Sequence, residues 1–335
     1  MSEKSNPAAK RPIDAVILWV DGSDEKLAEK RNRYLALENK SSSHPGSLPL
    51  RFASSDEISY CIRSILKYAG FIRNIYVVTD EQDPDLHEMV KTRFPEKAGS
   101  LKIVDHKEIF RGYEQYLPTF NSSSIHTMMW RIEGLAERFV YFNDDLILIR
   151  EHHEEDFFNG DRPVLRGKWL FPPYRRILGT WLKILINRHM KKSLDYVPKV
   201  SFYIRQWRSG SQLGFRWRYF FHDHSAHPFS RETFSEFFAA NPGLLEKTIS
   251  YRFRDPDQLL TSSLIYHREI RKGNRNLEKL RMGYFHPYYR EKTMDRRMEK
   301  CSSDSRYKSV CIQNIEMLGA AQRKKIFGWL DAMLG

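Results

Sequence analysis

The sequence predicts an α/β domain built on a largely parallel sheet. Two observations carry that prediction. Apolar runs of strand length alternate with amphipathic runs of helix length through the first 150 residues, the pattern of strand–helix–strand units. Each apolar run also ends near an acid: Asp21, Asp80, Asp105 and Asp144. Ligands of open parallel sheets bind beyond the carboxyl ends of the strands. Asp alone is a good turn residue, but four in one relation to four strands favour a ligand site.

The elements follow in order. Residues 1–12 carry Ser, Asn, Pro and Lys with no apolar pattern and read as a disordered leader. IDAVILWV (13–20) is a buried strand, KLAEKRNRYLALENK a helix and SSSHPGSLPL (41–50) a loop. SDEISYCIRSILKYAG (55–70) has Ser at the cap, acids in the first turn and a closing Gly, and reads as a helix. RNIYVVTDE is a second strand, residues 85–95 a helix and LKIVDH (101–106) a third strand. IHTMMWRIEGLAERF (125–139) reads as a helix leading into FVYFNDDLILIR (139–150), a buried strand broken by Asn143-Asp144-Asp145.

Composition bounds the function. With 335 residues, 41% apolar and rich in Phe and Tyr, the chain can bury a large core. A net charge of +13 and a pI near 9.5 favour acidic partners: phosphorylated substrates, an anionic polymer, nucleic acid or an anionic membrane. Three cysteines without close spacing argue against a disulfide framework or a cysteine zinc site, and fit a reducing cytoplasm. No secretory signal and no membrane-length apolar run is present.

Residues 162–220 differ in texture. Fourteen Lys and Arg stand there against a single acid, Asp195, with aromatics interleaved. YRRILGTWLKILINRHMKK could be a basic amphipathic helix that lies on an anionic membrane. The same side chains could track an acidic chain, or form a solvated helix face over ordinary core aromatics. Nucleic acid is the weakest of these partners, because no helix-turn-helix or RNA-binding signature occurs. The organisation read from this is a main domain in two parts, 13–161 and 221–335, with 162–220 as a basic insertion that binds an acidic chain or a membrane.

Three clusters could carry chemistry. Asn143-Asp144-Asp145 places two carboxylates where desolvation must be compensated; a divalent cation or a proton would do so. HDHSAHPFSRETF (222–234) brings His222, His224 and His227 close together, for acid–base work or a metal, before a helix capped near Ser230. SYRFRDPDQL (250–259) sets Arg252 and Arg254 two apart, on one face of an extended segment, as a phosphate clamp or as structural ion pairs. Asp255-Pro256-Asp257 then reads as a helix start.

The chain resembles the Stealth family. The resemblance rests on IDAVILWVDGSD (13–24), RFASSDEISYCIRSILKYAGFIRNIYVVTDEQ (51–82), LPTFNSSSI with the following FNDD, HSAHPFSRETF (224–234) and SYRFRDPDQL, in that order. KSVCIQN (308–314) is a weaker last block. Family members include bacterial capsule hexose-1-phosphate transferases and the catalytic subunit of the lysosomal-enzyme N-acetylglucosamine-1-phosphotransferase. The resemblance implies a Rossmann-like, glycosyltransferase-A-like core, a nucleotide-sugar donor, and attack on the sugar-bearing phosphorus with release of UMP.

By the same resemblance Asp21, Gly22, Asp24 and Arg51 would sit by the nucleotide, and Asn121 and Asn143 beside the donor phosphates. Asp144 and Asp145 would hold Mg²⁺ or Mn²⁺, with Asp145 also as base. His224 or His227 would face the acceptor or the phosphoryl group, and Arg252 and Arg254 would clamp the pyrophosphate. His126 and Tyr251 stand where many members have an acid and a His, and the last block lacks its usual acid near Asn314. The expected enzyme moves hexosamine 1-phosphate, from UDP-GlcNAc as the leading donor, to an acidic glycan or lipid-linked primer in capsule or surface polysaccharide synthesis. It would work in the cytoplasm, with peripheral contact on the inner membrane face. The alternatives are a metal-dependent UDP-sugar glycosyltransferase releasing UDP, and a basic glycan-binding protein without turnover.

Overall fold

The computed structural model describes residues 11–38, 56–190, 198 and 201–335. Strand β1 (Ile13–Leu18) is buried at all six positions and forms the middle of a five-stranded sheet. β2 (Ile72–Thr79) and β4 (Arg138–Asn143) flank it in parallel, and β3 (Leu101–Asp105) extends the sheet beyond β2. The far edge, beside β4, is an antiparallel strand, His227–Ser230. The result is the expected mixed α/β fold with a largely parallel sheet.

Strands buried on both faces need continuous apolar runs, and IDAVIL and FVYF supply them. One face of the sheet packs on α2 (Glu57–Tyr68), whose buried face includes Ile58, Ile62 and Ile65. The other is covered by α4 (Ser122–Met128) and by a C-terminal helix, Thr261–Arg271. α1 (Glu25–Leu37) and α3 (His87–Arg93) lie where strand–helix alternation puts them.

Four sequence expectations are corrected. FVYFNDDLILI is not one strand: β4 ends at Asn143, and β5 (Leu146–Leu148) joins a second, three-stranded sheet with Gly283–Phe285 and Ser309–Ile312. The acidic break is therefore the turn between two sheets. The helix expected over 125–139 runs over Ser122–Met128, followed by one 3₁₀ turn. Beyond it the Arg231 guanidinium binds the Trp130 and Leu135 carbonyls, and Gly134 takes a φ of +74°; those carbonyls are lost to a helix ladder. Asp255-Pro256-Asp257 is a turn, and the next helix starts at Thr261, because Arg205 takes the Gln258 and Leu259 carbonyls at 2.8 and 3.1 Å. The residue preceding α2 is Asp56 at φ +69°, without a side-chain cap; Ser55 lies outside the described residues, as do the 41–50 loop and most of the expected leader.

The basic stretch divides in two. Lys168–Leu170 pairs with Tyr219–Phe221, and α6 (Phe202–Gln212) packs on Thr261–Arg271, so these parts belong to the core. α5 (Tyr174–Leu185), by contrast, has no buried residue. Among the described residues no helix is long and apolar enough to cross a membrane.

Candidate functional site

The carboxyl edge of the sheet aligns Leu18 with Asn143 and Thr79 with Asp105. Three of the strand-end acids have structural employment there. Asp21 accepts from the backbone and hydroxyl of Ser23 at 2.9 and 2.6 Å. Asp80 pairs with Lys30 at 2.8 Å, and Asp105 caps the following turn through Lys107 N at 2.8 Å. Asp24, from the same loop as Asp21, caps α1 and accepts from Gln82 Nε2 at 2.9 Å. For these the turn reading suffices.

Asn143-Asp144-Asp145 differs. Tyr141 Oη donates to Asn143 Oδ1 at 2.6 Å, and Asn143 Nδ2 lies 2.9 Å from His224 Nδ1. Asp144 lines a cavity of about 160 Å³ with Trp19, Asp80, Asn143 and Arg254. Asp145 turns the other way: Cys311 Sγ donates to its Oδ2 at 3.5 Å, while its Oδ1 is buried without a hydrogen-bond partner among the described residues. Burial raises both carboxyls well above the ordinary range, and Glu57 adds to the effect. Cys61 Sγ donates to Asn143 O at 3.5 Å, so two buried thiols brace the turn.

A second cavity, of about 640 Å³, is lined by Phe202, Asp223, His224, Tyr284, Gln313 and Arg254, among others. Arg254 thus belongs to both cavities; Asn143 and Asp144 line the smaller one, and Asn143 reaches His224 of the larger. Arg254 Nη2 donates to Ser122 Oγ at 2.5 Å. The His224 ring stacks on Phe202 with centroids 5.6 Å apart. Burial, then Arg254, lowers its pKa to about 4, so the ring is neutral near pH 7. With Nδ1 accepting from Asn143, the ring proton sits on Nε2.

The other expected residues go elsewhere. His227 lies on the antiparallel edge strand beside Tyr141, buried, with Nδ1 2.9 Å from Tyr266 Oη; it lines neither cavity, so the expectation that it faces the acceptor or phosphoryl group is corrected. Arg252 is spent on the Pro118 carbonyl (2.7 Å) and Glu38 (3.1 Å), against the Tyr34 ring. The segment bends around buried Phe253, and only Arg254 reaches the cavities. Asn121 is fully buried, caps α4, and donates to Tyr251 O and Gln258 Oε1 at 2.8 and 3.0 Å; both amide hydrogens hold protein, not phosphate. His126 packs edge-on against Tyr141 at 4.6 Å, its pKa lowered by burial to about 3. Arg51 lies outside the described residues. Sequence reasoning missed Tyr141, Cys61, Cys311 and Tyr284; only Tyr141, two positions before Asn143 on the same strand face, left a signal.

A divalent cation can be tested against this arrangement. Among the described residues no three His, Cys, Asp or Glu converge as a ligand set. Two adjacent carboxylates with an unpartnered buried oxygen fit a hard cation that draws its remaining oxygens from ligand phosphates and water.

Comparison with known proteins agrees with the block pattern. The model for Stealth protein CR2, conserved region 2, matches residues 51–164, and that for Stealth protein CR1, conserved region 1, matches residues 11–37. The exopolysaccharide phosphotransferase cps2G of Lactiplantibacillus plantarum is 40% identical over 149 residues, 44% of this chain and 40% of that protein. The capsular polysaccharide phosphotransferase cps1A of Actinobacillus pleuropneumoniae is 32% identical over 223 residues, 61% of this chain and 59% of that protein. The chain thus matches less than two thirds of the length of these relatives. The glycosyltransferase GlyE of Streptococcus pneumoniae superposes with a TM-score of 0.42 at 9% identity, over 96% of this chain and 62% of that one, too weak a likeness to bear on mechanism.

Proposed function

The chain belongs to the Stealth family, and on that premise we propose that it transfers hexosamine 1-phosphate from a UDP-sugar, UDP-GlcNAc first among candidates, to a hydroxyl of a capsule or surface glycan. The observation that carries the reading is the Asn143–Asp145 turn, which lines one cavity through Asn143 and Asp144 and meets a second through His224, the two cavities sharing Arg254. The donor nucleotide lies over the carboxyl ends of β1 and β4, with its diphosphate at Asp144 and Arg254. The acceptor enters the larger cavity, past Phe202 and Tyr284.

Each residue then has a task. The acceptor oxygen attacks the phosphorus that bears the sugar and forms a new P–O bond. The P–O bond to UMP breaks, UMP takes the electron pair, and the bond from sugar C1 to oxygen survives. Asp145, whose Oδ1 has no hydrogen-bond partner among the described residues, takes the hydroxyl proton; a raised pKa suits a base working near neutrality. Arg254 offsets charge gathering on the phosphoryl oxygens. His224, carrying its proton on Nε2, donates a hydrogen bond into the cavity and is no base. Asp144, with Asp145 beside it, would hold Mg²⁺ or Mn²⁺, which would neutralise the diphosphate.

Incubation with a panel of UDP-sugars and a glycan primer, followed by identification of the nucleotide, tests this. UMP is expected. UDP would mean sugar transfer, and no donor consumption a binding protein.

A further inference from the structure

The helix α5 is inverted with respect to its surroundings. Tyr174, Leu178, Trp181, Leu182 and Leu185 recur at spacings of three and four and form one apolar stripe. A helix on a protein normally turns such a stripe inward. Here Leu178 is 57% and Trp181 54% exposed. Arg176 lies over the Tyr203 ring at 4.1 Å, and Tyr174, at the start of the stripe, meets Trp207 edge-on at 6.1 Å; the rest of the stripe faces away. Two further aromatics continue the patch, Phe171 at 84% exposure and Trp217 at 82%. Trp217 lines a broad groove together with Tyr174 and Trp207, so the patch extends beyond one helix.

Charge indicates what covers it. Arg175, Lys183 and Arg188 are exposed along the same stretch, and Arg216 and Arg218 flank Trp217. No acid occurs among the described residues between 162 and 220. An apolar stripe with Trp, Tyr and Phe, bordered by Arg and Lys, matches the interface of an anionic bilayer; the acid that lines the adjoining groove, Asp257, is paired with Arg208 at 2.7 Å. A protein partner would have to be apolar and acidic at once, and an acidic polysaccharide would leave Leu178, Trp181 and Leu182 uncovered.

We infer that α5, with Phe171 and Trp217, docks the protein on an anionic membrane surface, with the apolar stripe at the acyl boundary and the basic side chains among the lipid phosphates. The inference is independent of the reaction proposed above, since binding needs neither donor nor turnover.

Co-sedimentation of the full chain with vesicles, of phosphatidylcholine alone or mixed with phosphatidylglycerol, tests it. Binding to the mixed vesicles should be at least about tenfold stronger and should weaken with salt. Leu178→Asp with Trp181→Asp should abolish binding while the circular dichroism spectrum and melting curve stay those of the wild type. Lys183→Glu should weaken it only on anionic vesicles. The inference is overturned if the wild type ignores both vesicles, if the folded double variant still binds, or if the stripe proves to hold two copies together, seen as a dimer that the double variant dissolves.

Discussion

The two ends of the central sheet treat an acid in opposite ways. At the amino end Asp14 is fully buried, and four donors reach it: Arg73 through Nε and Nη2 at 2.9 and 2.6 Å, Asn74 N at 3.1 Å and Ala136 N at 2.7 Å. At the carboxyl end Asp144 and Asp145 lie side by side with two thiols nearby and one carboxylate oxygen unpartnered among the described residues. Taking a carboxylate out of water is costly in either place. Where donors repay the cost inside the fold, the acid is architecture. Where they do not, the acid is held ready for something outside the fold, a cation or a proton.

The largest test of that contrast is functional. Asp145→Asn should lower turnover by about a hundred- to ten-thousandfold, the usual range for a lost general base. The same substitution should raise the melting temperature at pH 8 by a few degrees. The sign follows from linkage: a carboxyl whose pKa is raised by folding starts to cost stability as pH rises past its ordinary value, and the cost is complete above the raised one; Asn removes it. A variant that loses activity and also melts earlier would erase the difference between the two ends.

Asp14→Ala should do the reverse. It leaves Arg73 and two backbone amides without their acceptor, and should cost about 3–5 kcal/mol in denaturant unfolding. In the folded fraction, activity per molecule should be unchanged.

Acid sharpens the comparison further. Burial lowers His126 and His222 to about 3, and His152, His224 and His267 to about 4. Depressed in the fold, these rings stay neutral while the unfolded chain takes up protons below about 6.5. Stability therefore falls as pH drops from there toward 4. Asp144 and Asp145 oppose the trend, being protonated in the fold before they are in the unfolded chain. His106 and His227 are depressed by burial as well, so the histidines outnumber the two carboxyls and stability falls as pH drops toward 5, measurable as a steep acid transition. Replacing His222 and His126 together by Gln should flatten it.

The smallest effect concerns the brace. The Cys311 thiol, by donating to Asp145, holds its pKa below where burial alone would put it. Cys311→Ala should move the acidic limb of the kcat/KM profile upward by less than about one pH unit. An unmoved limb would assign the proton acceptor to another residue.

The sheet was legible in the sequence because its central strands β1 and β4 are buried on both faces and so are almost wholly apolar. The acidic turn was legible because nothing apolar explains it. What stayed hidden was mostly tertiary. Whether Arg252 and Arg254 act together depends on Phe253 filling the core and on Glu38 meeting Arg252, which spacing cannot reveal. His227 and His224 sit three apart in sequence, yet one belongs to a paired strand and the other to the loop before it. Cys311 reaches Asp145 only because β5 crosses to a second sheet.

The central claim is that the unsatisfied turn holds a cation against the donor diphosphate. Crystals grown with Mn²⁺ and a UDP-sugar, and recorded at the manganese edge, test it directly. The account predicts an anomalous peak bonded to an Asp144 oxygen and to the diphosphate, with Arg254 on the phosphoryl oxygens. A diphosphate bound away from Asn143–Asp145, or a turn that stays metal-free beside a bound donor, would contradict it.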